Sequence, residues 1–287
     1  MRLIPSHIAT LATRAAINDL RTMLKSLEFW NPRSVPTVYI FCDAAVKAAI
    51  PSFAYTGDII TNETLNAYTD LNRAAMERLP GVQYKNLFFD FVCEKLRLLE
   101  WVFTTTDTSG VLFCDADICF MGPLFSIPVT ADIAVSPHKI REQDEARFGV
   151  YNAGMIWLRN KDIVSIWREE CGTSHFYEQA AIEGVVKRVD NVYEIPVSEN
   201  YGWWRLWQGR KPAHELQKEW GIHRAMGGCG ITVHGRPLGS VHTHFGEKID
   251  DATVQYNEWV LSILRRIAKA HEPTRRFLIH LGFDTRR

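Results

Sequence analysis

Short apolar runs alternate along this chain with stretches whose apolar residues recur every three or four positions. Ile8-Ala-Thr-Leu-Ala12 is the first run and predicts a buried strand. Behind it, Ile17, Leu20, Leu24, Leu27 and Trp30 mark one face of a helix. Pro32 and Pro36 interrupt the pattern, and Val38-Tyr-Ile-Phe-Cys42 predicts a second strand. A long helix is expected from about Asp90 to Phe103, with Phe91, Leu96, Leu99 and Phe103 toward the core. Asp107, Ser109 and Gly110 then turn the chain into the strand Val111-Leu-Phe-Cys114. Further strands are expected at 133–135, 155–158, 192–197 and 239–245, and helices at 163–167, 178–186 and 259–270. Such alternation is the pattern of an α/β domain. No repeat, low-complexity segment or flexible linker divides it, so one domain with two halves is expected.

Composition narrows the function classes. With 46% hydrophobic residues the chain can fill a core, and Lys+Arg and Asp+Glu balance at 33 each. An overall basic field for nucleic acid is therefore absent. Locally, seven Lys/Arg face only Glu272 and Asp284 between Arg265 and Arg287. Six cysteines form no Cys-x-x-Cys pair, and a reduced, cytoplasmic setting is expected. The sequence before Ile8 lacks a signal-peptide pattern, and no run of about 20 apolar residues predicts a membrane span.

The chemistry is concentrated in Val111-Leu-Phe-Cys-Asp-Ala-Asp-Ile118. Residues two apart on an extended segment point the same way, so Asp115 and Asp117 can offer two carboxylates to one Mn²⁺ or Mg²⁺. Strand C-terminal ends in α/β sheets are where ligands usually sit. An apolar strand followed by Asp-x-Asp also fits a haloacid-dehalogenase-like phosphatase, with Asp115 as nucleophile and Lys248, Asp250 and Asp251 as later motifs. Such a motif normally opens its domain, whereas strand-helix-strand-helix precedes it here.

From about residue 8 to 248 the chain resembles the glycogenin-like and bacterial galactosyltransferase-like enzymes of the GT-A fold, family 8 type. The resemblance implies a Rossmann-like, mostly parallel mixed sheet flanked by helices. Residues 1–140 would be the nucleotide-binding half, 141–250 the donor-sugar and acceptor half, and 251–287 a basic helical tail. It further implies a UDP-sugar donor, a glycan acceptor and a role in glycan biosynthesis. Leu11, Ala12 and Thr13 match the strand end that holds the base, and Lys95 the basic residue reaching the nucleotide. Asp115-Ala116-Asp117 match the metal motif, and Asn152-Ala153-Gly154 the lining of the donor-sugar pocket. Glu178-Gln179 stand where relatives have Asp-Gln beside the anomeric carbon. In retaining relatives the glutamine lies under that carbon, while Glu178 could act as base in an inverting enzyme.

The resemblance also implies a metal histidine followed by glycine and lysine. His242 has Lys248 at the family's spacing, whereas Gly246 departs from it, and His244 is the alternative ligand. Both would share one face if residues 241–245 are extended. Lys248 would add charge to the β-phosphate. Tyr201, Trp203, Trp204 and Trp207 can form either an acceptor wall or a hydrophobic corner. The tail alternates Val260, Leu261, Leu264 and Ile267 with Arg265, Arg266 and Lys269, and Arg275, Arg276, Arg286 and Arg287 extend it. It could lie on an anionic membrane as a peripheral contact or pack on the domain. A non-catalytic sugar-nucleotide-binding protein of the same fold is the remaining alternative.

Overall fold

The computed structural model describes residues 1–285; Arg286 and Arg287 of the basic tail lie outside the described residues. At its centre is a seven-stranded sheet. From one edge the strands are Val192–Glu194, Ile133–Pro137, Tyr151–Leu158, Val111–Cys114, His7–Ala12, Thr37–Cys42 and Ile59–Glu63. All neighbours are parallel except Tyr151–Leu158, which runs antiparallel to both of its own. Because helices cover both faces, the central strands are apolar almost throughout, and alternate residues supply two separate cores. Ala9, Tyr39 and Phe41 pack with helices Leu87–Thr105, Lys161–Cys171 and Tyr177–Val186. Ile8, Val38 and Ile40 pack with Leu20, Leu24 and Leu27 of helix Ile17–Trp30. Each such fully buried aliphatic side chain contributes roughly 1.5–3 kcal/mol.

Two departures from a regular sheet position the site. Between Val135 and Ser136 the register on Tyr151–Leu158 jumps from Ile156 to Asn152. The bulge bends the long strand where it meets Asp115 and re-aims Asn152 and Gly154, as bulges beside functional sites do. A second, three-stranded sheet sets Ser240–His242 between Tyr201–Gly202 and Ile118–Phe120, with His242 opposite both Ile118 and Gly202. That register brings a residue from the far end of the chain beside Asp117.

The strand expected at 239–245 ends at His242, so His242 and His244 do not share a pleated face. The helix expected from Trp259 begins at Asp251, behind a capping box of Asp250 and Thr253. Its stripe of Val260, Leu264 and Ile267 is buried with Tyr201, Val241 and Tyr256. Phe277 and Leu278 of helix Glu272–Leu281 join the same cluster. This apolar face is covered by protein, as the packing alternative for the tail expected, and a membrane contact through it is not supported. No helix among the described residues is long and apolar enough to cross a membrane.

Candidate functional site

Asp115 leaves the end of Val111–Cys114, and its amide donates to the Gly154 carbonyl at 2.8 Å. Asp115-Ala116-Asp117 is a turn closed by Ile118 N donating to Asp115 O at 3.2 Å, not the extended segment expected. The two carboxylates converge all the same. His242 Nε2 lies 3.1 Å from Asp117 Oδ1 and 3.7 Å from Asp115 Oδ2. One ligand atom from each of the three falls within 4.8 Å of the others. A Cβ on Gly154 would meet His242 Cε1 at 2.2 Å and Asp115 Oδ2 at 2.5 Å, so only glycine lets the strand pass beneath them. Two carboxylate oxygens and one imidazole nitrogen suit a divalent cation, and the residues fit one.

The electrostatics agree with the geometry. Burial raises the Asp115 carboxyl, and the opposing charges of Lys95 and His242 do not fully offset it. Burial would raise Asp117 too, but the adjacent His242 and His244 outweigh it and hold Asp117 at about 2. The desolvation of His242 is outweighed in turn by Asp117, and its pKa rises.

One flank of this group is held by full charges. Lys95, only 3% exposed, donates to Glu178 Oε1 at 2.5 Å and to the Ala153 carbonyl at 3.4 Å. It stands 4.0 Å from Asp115 Oδ1. Burial opposes a charged lysine here, yet the carboxylates of Glu178 and Asp115 prevail and raise its pKa. Glu178 is itself buried, and its carbonyl accepts from Trp167 Nε1 at 2.7 Å. Tyr177, immediately before it, holds φ at +46°, a left-handed conformation that costs a bulky residue roughly 1–3 kcal/mol. The strained turn directs Glu178 inward.

The other flank is neutral. Asn200 is fully buried, and its Nδ2 donates to Ser136 Oγ at 2.8 Å and to Asn152 Oδ1 at 3.0 Å. Its Oδ1 meets His242 Nδ1 at 3.1 Å. Asn152 Oδ1 also accepts from Gly154 N, and its Nδ2 donates to Gln179 Oε1 at 3.3 Å. Gln179 Oε1 accepts from Ala153 N at 3.2 Å, and its Nε2 donates to Phe148 O at 2.8 Å.

A cleft of about 390 Å³ opens over both flanks; Leu11, Lys95, Asp115, Ala116, Asp117, Glu178, Gln179 and His244 contribute to its walls. Of the expected base-binding segment, Leu11 reaches the cleft, while Ala12 and Thr13 are buried and are not among its walls. His244 turns away from the three-residue group. Its Nδ1 lies 2.7 Å from Asp19 Oδ2, and its Nε2 stays 3.8 Å from Asp117 Oδ2. Lys248 is exposed on the following loop, outside the cleft walls. Asp250 caps a helix by accepting from Thr253 N, so the lysine and acid needed for the phosphatase arrangement do not gather at Asp115. Of the aromatic cluster, Tyr201 belongs to the core and Trp204 packs edge-on against His242 at 4.8 Å. Trp203 and Trp207 lie 6.0 Å apart, and Trp207 is 39% exposed.

Sequence reasoning missed Asn200 and Asp19. Asp19 carried one faint signal, an acid lying between the apolar positions Ile17 and Leu20 of its helix. Asn200 carried none.

No protein-family model matches the chain, and no curated protein matches it in sequence. Solved structures match it in fold. The galactosyltransferase LgtC, in complex with donor and acceptor sugar analogs, aligns with a TM-score of 0.55 at 13% identity, over 96% of this chain and 95% of that one. An active-site mutant of LgtC aligns at 0.52 and 13%, over 90% and 94%. The apo form of the glycosyltransferase GlyE from Streptococcus pneumoniae TIGR4 aligns at 0.50 and 16%, over 90% of this chain and 64% of that chain. At these identities the likeness establishes the fold, which is GT-A: a mixed, mostly parallel sheet flanked by helices.

Proposed function

We propose that this protein is a metal-dependent glycosyltransferase that takes a sugar from a nucleoside diphosphate, most simply UDP, and passes it to a hydroxyl of a glycan acceptor. The observation that carries the reading is the convergence of the cleft residues Asp115 and Asp117 with the buried His242 in a GT-A fold. A Mn²⁺ or Mg²⁺ bound there would stabilise the departing diphosphate as a Lewis acid. The chain's own residues do the rest. Leu11 and the backbone through Thr13 receive the base, and Asn152 and Gly154 form the floor under the donor sugar. Gln179 presents a fixed amide toward its anomeric carbon, and Lys95 sets its ammonium between Glu178 and Asp115.

The acidic groups around the cleft bear on stereochemistry. Asp19 is engaged by His244, Asp115 and Asp117 by His242, and Glu178 by Lys95. None stands free to deprotonate an acceptor as an inverting mechanism requires, which supports transfer with retention. The exposed Trp207 and the half-buried Trp203 are proposed to stack on the acceptor, with Tyr201 and Trp204 behind them as structural support. Six buried, unpaired cysteines support a reducing compartment.

The test is UDP release from a panel of UDP-sugars with Mn²⁺, with proton NMR of the liberated sugar or product. Turnover that EDTA abolishes, giving the donor's anomeric configuration, is expected. Binding of UDP and Mn²⁺ with no turnover of any donor or acceptor would leave the non-catalytic alternative. Equal turnover in EDTA would end the metal-dependent reading.

A further inference from the structure

The neutral flank holds more order than its residue types suggest. An asparagine amide can usually be turned end for end, but Asn200 cannot. Its Nδ2 faces Ser136 Oγ and Asn152 Oδ1. Asn152 Oδ1 is itself fixed as an acceptor, because the Gly154 N–H donates to it at 3.1 Å. Turning Asn200 over would set its oxygen against that oxygen. Asn200 Oδ1 must therefore face His242 Nδ1, and an oxygen there can only accept. The proton of His242 is thereby placed on Nδ1. Nε2 is therefore the nitrogen that faces Asp117 and Asp115 and the one that would give its lone pair to a cation bound between them. The same donors continue outward: Asn152 Nδ2 donates to Gln179 Oε1, and Gln179 Nε2 to the Phe148 carbonyl. Arg205, buried and with no carboxylate among its hydrogen-bond partners, fixes the backbone by donating to the carbonyls of Asn200, Pro137 and His138.

We infer that Asn200 is a positioning residue for the metal site: it sets the cation-facing nitrogen of His242 and, through Asn152, ties that histidine to Gln179 in one oriented amide relay. The inference rests on the metal-dependent reading above and deepens it. Hydrogen-bond partners of metal-ligating histidines are typically worth about 10–100-fold in metal affinity.

Two variants test it by direct Mn²⁺ titration of the purified full chain, reading free Mn²⁺ by electron paramagnetic resonance, alongside urea unfolding without metal. Asn200→Ala removes the acceptor for Nδ1–H, and Mn²⁺ affinity is expected to fall about 10–100-fold. Asn200→Asp keeps an oxygen at that position but buries a charge beside the Asn152 carbonyl oxygen. It should therefore hold Mn²⁺ more tightly than the alanine variant while being the less stable of the two to urea. Opposite rankings in affinity and stability mark positioning, since a purely structural role would rank the two variants alike. Affinity of Asn200→Ala within about threefold of wild type, or an aspartate variant that binds no better than alanine, overturns the inference. A wild-type chain that binds no Mn²⁺, with or without UDP, fails the metal-dependent reading itself and takes this inference with it.

Discussion

Around Asp115 the two flanks of the site are built from different materials. Toward helix Leu87–Thr105 the contacts are between full charges, with Lys95 buried between Glu178 and Asp115. Toward Ser240–His242 they are between neutral amides, running from Gln179 through Asn152 and Asn200 to the imidazole. Buried charges attract strongly but set direction poorly, and each depends on its partner remaining. Amides attract less, but their distinct donor and acceptor ends define an orientation. The charged flank thus concentrates charge beside Asp115, and the amide flank fixes direction along Gln179, Asn152, Asn200 and His242.

The largest effect expected from breaking this contrast follows deletion of one buried charge. Lys95→Met leaves Glu178 and Asp115 without their cation and should cost about 3–5 kcal/mol in urea unfolding. Replacing both close partners, Lys95→Met with Glu178→Met, should recover part of that stability, because only Asp115, which keeps His242 at 3.7 Å, then loses a partner. Equal losses in the single and double variants would mean that the flank is not a coupled pair. Next comes Asp117→Asn, which leaves shape intact but removes charge from the cation. UDP release should fall by about 10²–10³, the usual scale for losing one electrostatic stabiliser. A change below tenfold would show that Asp117 serves structure rather than catalysis.

The smallest effect is in pH. A hydrogen bond to Asp19 outweighs burial and raises His244 from 6.5 to about 9. Burial raises Asp19 as well, even against the pull of the imidazolium. Since the folded pKa of His244 lies above its unfolded value, this pair stabilises the metal-free chain fully below pH 6.5 and loses that contribution as pH rises through about 9. With 36% of the His244 side chain exposed, solvent screening limits the pair to about 1 kcal/mol. Between pH 7 and 10 the melting temperature of wild type should fall about 2 °C more than that of His244→Gln. Parallel curves would show the pair to be neutral.

The two flanks also differ in how far the sequence foretold them. Asp115 and Asp117 stand out because charge follows directly on an apolar strand, a contrast visible locally, whereas Lys95 was found only through resemblance to a family motif. Asn152 to Gly154 were found through their resemblance to a known motif. Asn200 could not be found at all. It gains meaning only when Ser136, Asn152 and His242, each more than 40 residues away in sequence, close around it. The edge strand Ile59–Glu63 was invisible for a related reason, since it is half open to solvent and lacks an apolar run. The turn at Asp115–Asp117 and the end of the strand at His242 come from pairing with distant segments, which local periodicity does not encode.

Helix Asp251–Ala268 reaches back to the site through Asn257, which accepts from Thr243 Oγ1 at 2.9 Å and donates to the His244 carbonyl at 2.7 Å. Thr243 in turn donates through its amide to the Asp117 carbonyl at 3.0 Å. The group of Asp115, Asp117 and His242 is therefore braced by a helix that follows all three in the chain. A nascent chain whose Asp115 and Asp117 have cleared the ribosome must lengthen by some 140 residues before that clamp arrives, about 7–30 s at ordinary elongation rates. Through most of that interval His242 is missing as well, since it precedes Asn257 by only 15 residues. The group of Asp115, Asp117 and His242 is thus completed and braced only in the last stage of synthesis.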